Sequence, residues 1–162
     1  TLYHDSLTGL LNHTSTKQRL EGAVNAAQQE HQPISVAMID IDHFKRVNDN
    51  YGHPVGDQII RSLAWLLKQR LRKSDIVGRY GGEEFLVGLP GTNAEQAMMV
   101  LDRIRCDFGQ IKHPFNETWF NTTFSAGVAS FPEIASTEQL IKTADEALYL
   151  AKRGGRNRVE LK

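Results

Sequence analysis

The stretch Ile34-Ser-Val-Ala-Met-Ile-Asp-Ile41 follows Pro33 and is apolar on both of its alternating faces. A strand with this pattern is covered on both sides, so we expect it at the centre of a sheet. Further along the chain, Asp75 to Tyr80 and Glu84 to Leu89 predict two strands joined at Gly81-Gly82, which is a hairpin signal. The buried strand and the hairpin together predict the core of the fold.

Apolar periodicity and capping patterns predict helices around these strands. They begin at a Ser15/Gln18 capping box, near residues 43, 55 and 94, and at a Ser136/Gln139 capping box, and the last helix stops at Gly154-Gly155. We expect one long strand from Thr118 to Phe131 and a short one from Asn157 to Leu161.

The core elements follow one another in the order β-α-β-β-α-β. This order predicts an α+β fold, the ferredoxin-like split βαβ (palm-like) core, with a mostly antiparallel central sheet flanked by helices. An extra N-terminal helix and a C-terminal strand are added to it. A fold of this kind implies no function by itself.

The length, composition and net charge of the chain limit the kinds of protein it can be. The 162 residues, 40% of them apolar, fit a single globular domain over residues 1–162. Lys+Arg 19 and Asp+Glu 19 cancel, which argues against DNA or RNA held by bulk charge. The longest apolar run, Leu63 to Leu67, is too short for a membrane span. A single cysteine, Cys106, excludes a disulfide framework within the chain, and we predict that it is a packed thiol on a helix. Because the chain begins at Thr1, we expect the C-terminal output module of a longer protein.

Two acidic pairs stand where a strand meets a turn: Asp40 and Asp42 after the buried strand, and Glu83 and Glu84 after the glycines. In a split βαβ sheet the first strand lies beside the hairpin, so the pairs should meet at one edge. Carboxylates crowded together need cations to stay ionised, and oxygen-only ligands suit Mg²⁺. The alternatives are that Asp40 or Asp42 caps the following helix and that the glutamates lie on a solvated hairpin.

Further candidates surround this edge. The absence of side chains at Gly81 and Gly82 would let phosphates approach the backbone closely. Lys152 and Arg156, four residues apart, could reach phosphate, or could simply complement the C-terminal dipole of the last helix. Asn48 and Asp57 flank a glycine-containing loop, although Asp57 could equally be a first-turn helix charge. No zinc spacing, phosphate-binding P-loop or serine-nucleophile motif is present.

The sequence resembles the GGDEF domain family, the diguanylate cyclases, over nearly its whole length. Five motifs in order carry the resemblance: Asp5-Ser-Leu-Thr-Gly-Leu-Leu-Asn12, Asp40-Ile-Asp-His-Phe-Lys45 with Asn48-Asp49, Tyr51-Gly-His-Pro-Val-Gly-Asp57, Gly81-Gly-Glu-Glu-Phe85, and Ala144-Asp-Glu-Ala-Leu-Tyr149 continuing through Lys152 to Asn157. One departure is His13, where many members carry Arg. It lies away from the acidic motifs.

The resemblance implies an Mg²⁺-dependent (or Mn²⁺-dependent) enzyme that condenses two GTP into cyclic di-GMP and releases pyrophosphate. Because each chain would offer one GTP site, two chains must face each other as a homodimer. The family also implies a cytoplasmic domain without membrane contact of its own, in a parent protein that could be membrane-anchored.

The resemblance also assigns roles residue by residue. Metal ligands would be Asp40, Glu83 and the carbonyl of Ile41, with Glu84 also in the active-site turn. Phosphate contacts would come from the backbone amides of His43, Phe44 and Lys45 and from Lys152 and Arg156. Guanine would be read by Asn48 and Asp57.

The resemblance also implies a product-inhibition site at Arg72-Lys-Ser-Asp75, a segment that ends five residues before Gly81. Arg103 would complete this site. The alternative there is a solvated basic end of a helix. For the whole domain, the main alternative is a catalytically inactive GTP or cyclic di-GMP receptor, and a second is another nucleotidyl cyclase or a polymerase palm.

Overall fold

Strand β1 (Ile34–Ile41) forms the centre of a five-stranded sheet in the computed structural model, which describes residues 1–162. All eight of its residues are buried. It pairs antiparallel with β3 (Glu84–Pro90) on one side and β6 (Phe124–Phe131) on the other. β2 (Ile76–Arg79) and β7 (Val159–Leu161) complete the order β2-β3-β1-β6-β7, in which only the β6–β7 pair is parallel.

Five helices flank this sheet: α1 (His13–Glu30), α2 (Phe44–Tyr51), α3 (His53–Arg70), α4 (Ala94–Gly109) and α5 (Thr137–Arg153). Apolar residues of α1 and α5 pack on one face, and those of α3 and α4 pack on the other. The predicted α+β, split βαβ architecture with its extra N-terminal helix and C-terminal strand is confirmed. None of the helices combines the length and apolar character that a membrane span requires.

The alternation of β1 decides which face carries its acidic end. Ala37 and Ile39 join the core beneath α3 and α4, whereas Val36 and Met38 join the core beneath α1 and α5. Side chains two residues apart on a strand share a face, so Asp40 lies on the α1/α5 face. Its partner in the antiparallel register is Glu84 on β3.

Close packing brings the last helix near that acidic end. A Cβ atom at Gly127 on β6 would lie 2.1 Å from the backbone nitrogen of Leu148 and 2.2 Å from the carbonyl oxygen of Ala144. Only glycine lets the backbone of α5 approach the sheet this closely. The final turn of α5 is thereby held beside the end of β1.

Three predictions of local structure are wrong, the first being that Cys106 is packed, since its side chain is exposed on α4. The side chain of Asn12, not that of Ser15, caps α1, and it accepts a hydrogen bond from the Ser15 amide at 2.9 Å. The long strand expected from Thr118 to Phe131 is divided, because β4 (His113–Phe115) and β5 (Thr118–Phe120) form a separate hairpin. The Ser136 cap of α5 is confirmed.

Candidate active site

The two acidic pairs meet at one edge of the sheet, as the topology predicts. Asp40 and Glu84 face each other in the β1–β3 register, and the Ile41 amide donates to the carbonyl oxygen of Glu83 at 3.3 Å. We call Asp40, Glu83 and Glu84 the carboxylate edge. Lys152, in the last turn of α5, donates a hydrogen bond to Asp40 and forms an ion pair with it.

Burial raises the pKa of all three carboxyl groups of the edge and is the largest cause for each. The charge of Asp40 raises the pKa of Glu83 and Glu84 further, while Lys152 opposes the shift at Asp40. Carboxylates that resist ionising together are stabilised when a cation joins them. Clustered carboxyl groups with raised pKa values are therefore compatible with cation binding.

The donor set fits Mg²⁺ rather than a metal enclosed by protein side chains. No group of three or more His, Cys, Asp or Glu side chains is placed to hold a metal ion by itself. Mg²⁺ needs no such cage, because it commonly binds one or two carboxylates and completes its shell with water and substrate phosphates. Asp40, Glu83 and the carbonyl of Ile41 lie at the end of β1 or directly beside it and supply oxygen atoms only.

Asp42 differs from its neighbour Asp40. Its carboxylate accepts hydrogen bonds from Thr123 Oγ1 at 2.6 Å, Ser125 Oγ at 2.7 Å and the Asn157 amide at 3.0 Å. These bonds fasten β6 and the segment after α5 to the end of β1. Because both oxygens of Asp42 are already engaged, Asp40 is the residue of this pair whose carboxylate is more open to a metal ion.

The predicted phosphate contacts include the start of α2. His43 occupies the cap position with a left-handed backbone (φ 54°) and no side-chain capping bond, so neither Asp40 nor Asp42 caps this helix. The first amides of a helix lack partners within it and carry the positive end of its dipole, which suits a phosphate. Phe44 and Lys45 supply amides of this kind. Arg156 lies on the exposed loop after α5 with a left-handed backbone (φ 65°).

A buried side-chain oxygen between α2 and α3 has no hydrogen-bond partner. The side-chain oxygen Oδ1 of Asn48 is buried and accepts no hydrogen bond. A Cβ atom at Gly56 would lie 2.0 Å from it, so only glycine leaves room at that position. Asp57 follows Gly56 at the surface. Asn48 therefore packs directly against Gly56, the α3 residue before Asp57.

Sequence reasoning missed the groups that hold the glycine turn. Arg79 donates to the carbonyl oxygen of Gly82 from Nε at 3.1 Å and from Nη2 at 2.9 Å, and it pairs with Asp5 at 3.2 Å. Burial by itself would raise the pKa of Asp5, but hydrogen bonds from Thr8 and the Arg79 guanidinium lower it overall. The motif that begins at Asp5 was the sequence signal for this contact, but the resemblance assigned no partner to Asp5.

Asp145 was also missed as a neighbour of the edge. Its charge contributes to the raised pKa of Asp40 and Glu84.

The predicted inhibitory residues lie at the other end of the hairpin from the carboxylate edge. Arg72 Nη2 donates to Asp75 at 2.8 Å, to the carbonyl oxygen of Pro90 at 2.9 Å and to Thr92 Oγ1 at 3.1 Å. A cavity of about 290 Å³ adjoins them and is lined also by Gln96 and Val100 of α4. Arg103 is seven residues after Gln96 and three after Val100, so it lies on the same stripe of α4.

Comparison with known proteins connects this arrangement to a family. The model described as "Diguanylate cyclase, GGDEF domain" matches residues 2–158. Diguanylate cyclase DgcP of Pseudomonas aeruginosa is 40% identical over 157 residues, which are 97% of this chain and 23% of DgcP. Response regulator PleD of Caulobacter vibrioides is also 40% identical, over 96% of this chain and 35% of PleD. The chain thus spans well under half the length of these curated relatives.

A solved structure agrees with the sequence relatives. The GGDEF domain of DgcB from Caulobacter crescentus, in complex with c-di-GMP, superposes with a TM-score of 0.95 at 35% identity and covers 99% of this chain and 96% of that one. The glycine turn, the carboxylate edge and the family match all describe one kind of domain, and the chain belongs to the GGDEF domain family.

Proposed function

We propose that this domain is a diguanylate cyclase that condenses two GTP molecules into cyclic di-GMP. In each of two equivalent steps the 3′-oxygen of one GTP attacks the α-phosphorus of the other. A P–O bond to that oxygen forms, the bond to pyrophosphate breaks, and the 3′-hydroxyl proton leaves. The observation that carries the proposal is the carboxylate edge. The amides at the start of α2 and the unpaired side-chain oxygen of Asn48 support it.

The carboxylate edge would hold the metal. Asp40, Glu83 and the Ile41 carbonyl would bind Mg²⁺, or Mn²⁺ in its place, and bound metal would activate the attacking oxygen and stabilise the leaving one. Lys152 now neutralises Asp40. In the loaded site we expect its ammonium group, with Arg156, to contact the phosphates, and the amides of His43, Phe44 and Lys45 to receive another phosphate oxygen.

The glycine turn and Glu84 would complete the substrate site. An added Cβ at Gly82 meets no atom within 4 Å, so the space outside this residue is open to a phosphate. Gly81 lies against Glu84 Oε1, which a Cβ would approach to 2.6 Å. Glu84 would therefore border the ribose and phosphates from inside the turn.

Asn48 and Asp57 would select guanine. The N1–H and 2-amino groups of guanine are two adjacent donors that one carboxylate can accept together. Adenine offers an acceptor at N1 and no group at C2, so it would leave Asp57 unpaired. A site built to hydrogen-bond its substrate can reject an analogue lacking the group by as much as ~10⁴.

We further propose a homodimer for catalysis and feedback by the product. One chain holds one GTP, so an isolated monomer should be nearly inactive. The product-inhibition site would be Arg72, Asp75 and Arg103, since arginine pairs with phosphate or with the Hoogsteen edge of guanine and Asp75 can accept from its amino group. The domain would act in the cytoplasm as one module of a longer protein, in keeping with the greater length of its relatives.

Incubation with GTP and Mg²⁺, followed by chromatography of the products, tests this function. Cyclic di-GMP should accumulate, and a tenfold excess of ATP should neither be incorporated nor compete strongly. Binding of GTP without turnover would instead identify a receptor, and comparable incorporation of adenine would show that the Asn48–Asp57 assignment is wrong.

A further inference from the structure

A cavity of about 400 Å³ opens between α1, α5 and the hairpin, and Glu84 is the one lining residue that the catalytic assignments use. Its charged lining includes Lys17 of α1 and Glu138, Lys142 and Asp145 of α5. The three α5 residues recur at helical spacing, so they form one stripe facing the cavity. We call these four residues the charged rim.

The charged rim is balanced and unpaired. It holds two ammonium groups and two carboxylates, and none of the four makes a salt bridge within the chain, although six salt bridges form elsewhere. Glu138, Lys142 and Asp145 are exposed and Lys17 is half-buried, so these charged groups remain in contact with water. Their charges are available to another molecule.

The cavity borders the reaction edge. Glu84 lines it, and so does Met38, which precedes Asp40 by two residues and shares its face of the sheet. Any molecule that presents a nucleotide to Asp40 and Glu83 from outside the chain therefore lies beside the charged rim.

The occupant that fits is a second copy of this chain. Two identical chains that each offer one GTP must meet about a twofold axis, and a twofold contact uses the same surface on both partners. Such a surface has to be complementary to itself, and a rim with equal numbers of opposite, unpaired charges has that property.

We infer that the charged rim is the contact between the two chains of the catalytic dimer, with Lys17 and Lys142 of each chain meeting Glu138 and Asp145 of the other. The inference rests on the proposed function, because it is the joining of two GTP molecules that requires two chains. It adds to that function the surface that orients them.

Complementary charge reversal tests this contact. The variant Lys17→Glu/Lys142→Glu has an acidic rim, and the variant Glu138→Lys has a predominantly basic one; Asp145 is left unchanged because it lies near the carboxylate edge. Each variant alone should lose about tenfold or more of its synthesis rate at low protein concentration, since like charges would face each other. An equimolar mixture should regain at least half of the wild-type rate. Arg61→Glu and Glu117→Lys, two exposed charges elsewhere, serve as controls and should change little.

Binding of α,β-methylene GTP, which resists cleavage at the α-phosphorus, should remain as in the wild type for every variant. Unchanged rates in the separate variants would overturn the inference. So would reduced rates that mixing does not restore, because the charges would then act within one chain or on a small anion. If the wild type itself makes no cyclic di-GMP, the proposed function fails, which is a different outcome from an active wild type whose variants are not rescued.

Discussion

Asp40 and Asp42 lie two residues apart at the end of one buried strand, yet their surroundings give them different chemistry. Three donors engage both oxygens of Asp42, so its carboxylate ties β6 and the segment at residue 157 to the end of β1. The side chain of Asp40 accepts a hydrogen bond only from the Lys152 ammonium, and burial raises its pKa. A carboxylate with few hydrogen-bond donors can receive a cation more readily than one whose bonds join three segments of the fold.

His113 provides a prediction about pH at the residue scale. It is buried against Phe108 and Phe120, its Nε2 has no partner, and burial lowers the pKa of its imidazole. The unfolded chain therefore takes up this proton first, so the histidine should reduce stability as pH falls through the ordinary value of about 6.5, until the folded pKa is reached.

Melting curves of the wild type and of His113→Gln at pH 7.5 and 5.5 would measure this effect. The raised pKa values of Asp40, Glu83 and Glu84 act in the opposite direction, because the folded protein binds those protons first, but they are common to both proteins. The wild type should lose more stability than the variant on acidification. An equal loss in both would show that His113 does not titrate on unfolding in this range.

At the scale of elements, the β4–β5 hairpin supports α2, the helix proposed to contact guanine through Asn48. Tyr51, the last residue of α2, stacks on Phe120 at 4.1 Å between ring centroids and meets Phe115 edge-on at 4.8 Å. Asn48 lies three residues earlier, less than one turn away. Aromatic pairs of this kind contribute about 0.5–1.5 kcal/mol beyond the area they bury. The hairpin thus fixes the helix end that carries Asn48.

We predict that Phe120→Ala raises the KM for GTP several-fold and changes kcat much less, because the ring positions a binding residue and not the reacting atoms. Trp119→Ala, on the half-exposed neighbour, is the matched control. Steady-state kinetics with GTP as the varied substrate provide the measurement. If both variants behave alike, the hairpin does not position Asn48.

Elements with a strong local pattern could be predicted from the sequence, and those decided by distant contacts could not. The buried strand at 34–41 matches its prediction because seven of its eight residues are apolar or small, a pattern that favours the centre of a sheet. The strand expected at 118–131 is divided because Asn121 donates to the carbonyl oxygens of Gly109 and Ile111 and turns the chain. Cys106 is exposed, since residues two positions from Ile104 and Phe108 lie on the opposite side of a helix.

Within the candidate site, the meeting of Asp40 with Glu84 followed from topology alone. The Asp5–Arg79 pair and the saturation of Asp42 did not, because each joins residues more than 70 positions apart without a shared local pattern.

At the scale of the whole molecule, the proposed active site and the proposed product-inhibition site occupy opposite ends of the β2–β3 hairpin. Product binding would therefore act through the arrangement of chains and not by displacing GTP. Arg72 is a poor probe of this, because its guanidinium also bonds Pro90 and Thr92. Arg103 is exposed on α4 and makes no salt bridge. We predict that Arg103→Ala keeps the initial rate but requires about tenfold more cyclic di-GMP for inhibition.

Progress curves with and without added product would show this effect, and Arg72→Ala should lose the inhibition more completely at some cost in stability. Inhibition of both variants at the wild-type product concentration would mean that Arg72, Asp75 and Arg103 are ordinary surface charges.

The carboxylate edge is the centre of the proposed chemistry, and replacing Glu83 with its neutral isostere tests it most directly. The rate of cyclic di-GMP formation from GTP and Mg²⁺ should be compared for the wild type, Glu83→Gln and the exposed control Glu133→Gln, with a melting curve for each. We predict that Glu83→Gln keeps less than a tenth of the rate, a barrier increase above ~1.4 kcal/mol. Its melting temperature should be equal or higher, since the buried charge beside Asp40 is removed. A Glu83→Gln protein that folds and retains more than a tenth of the wild-type rate would contradict the assignment of this edge as the active site.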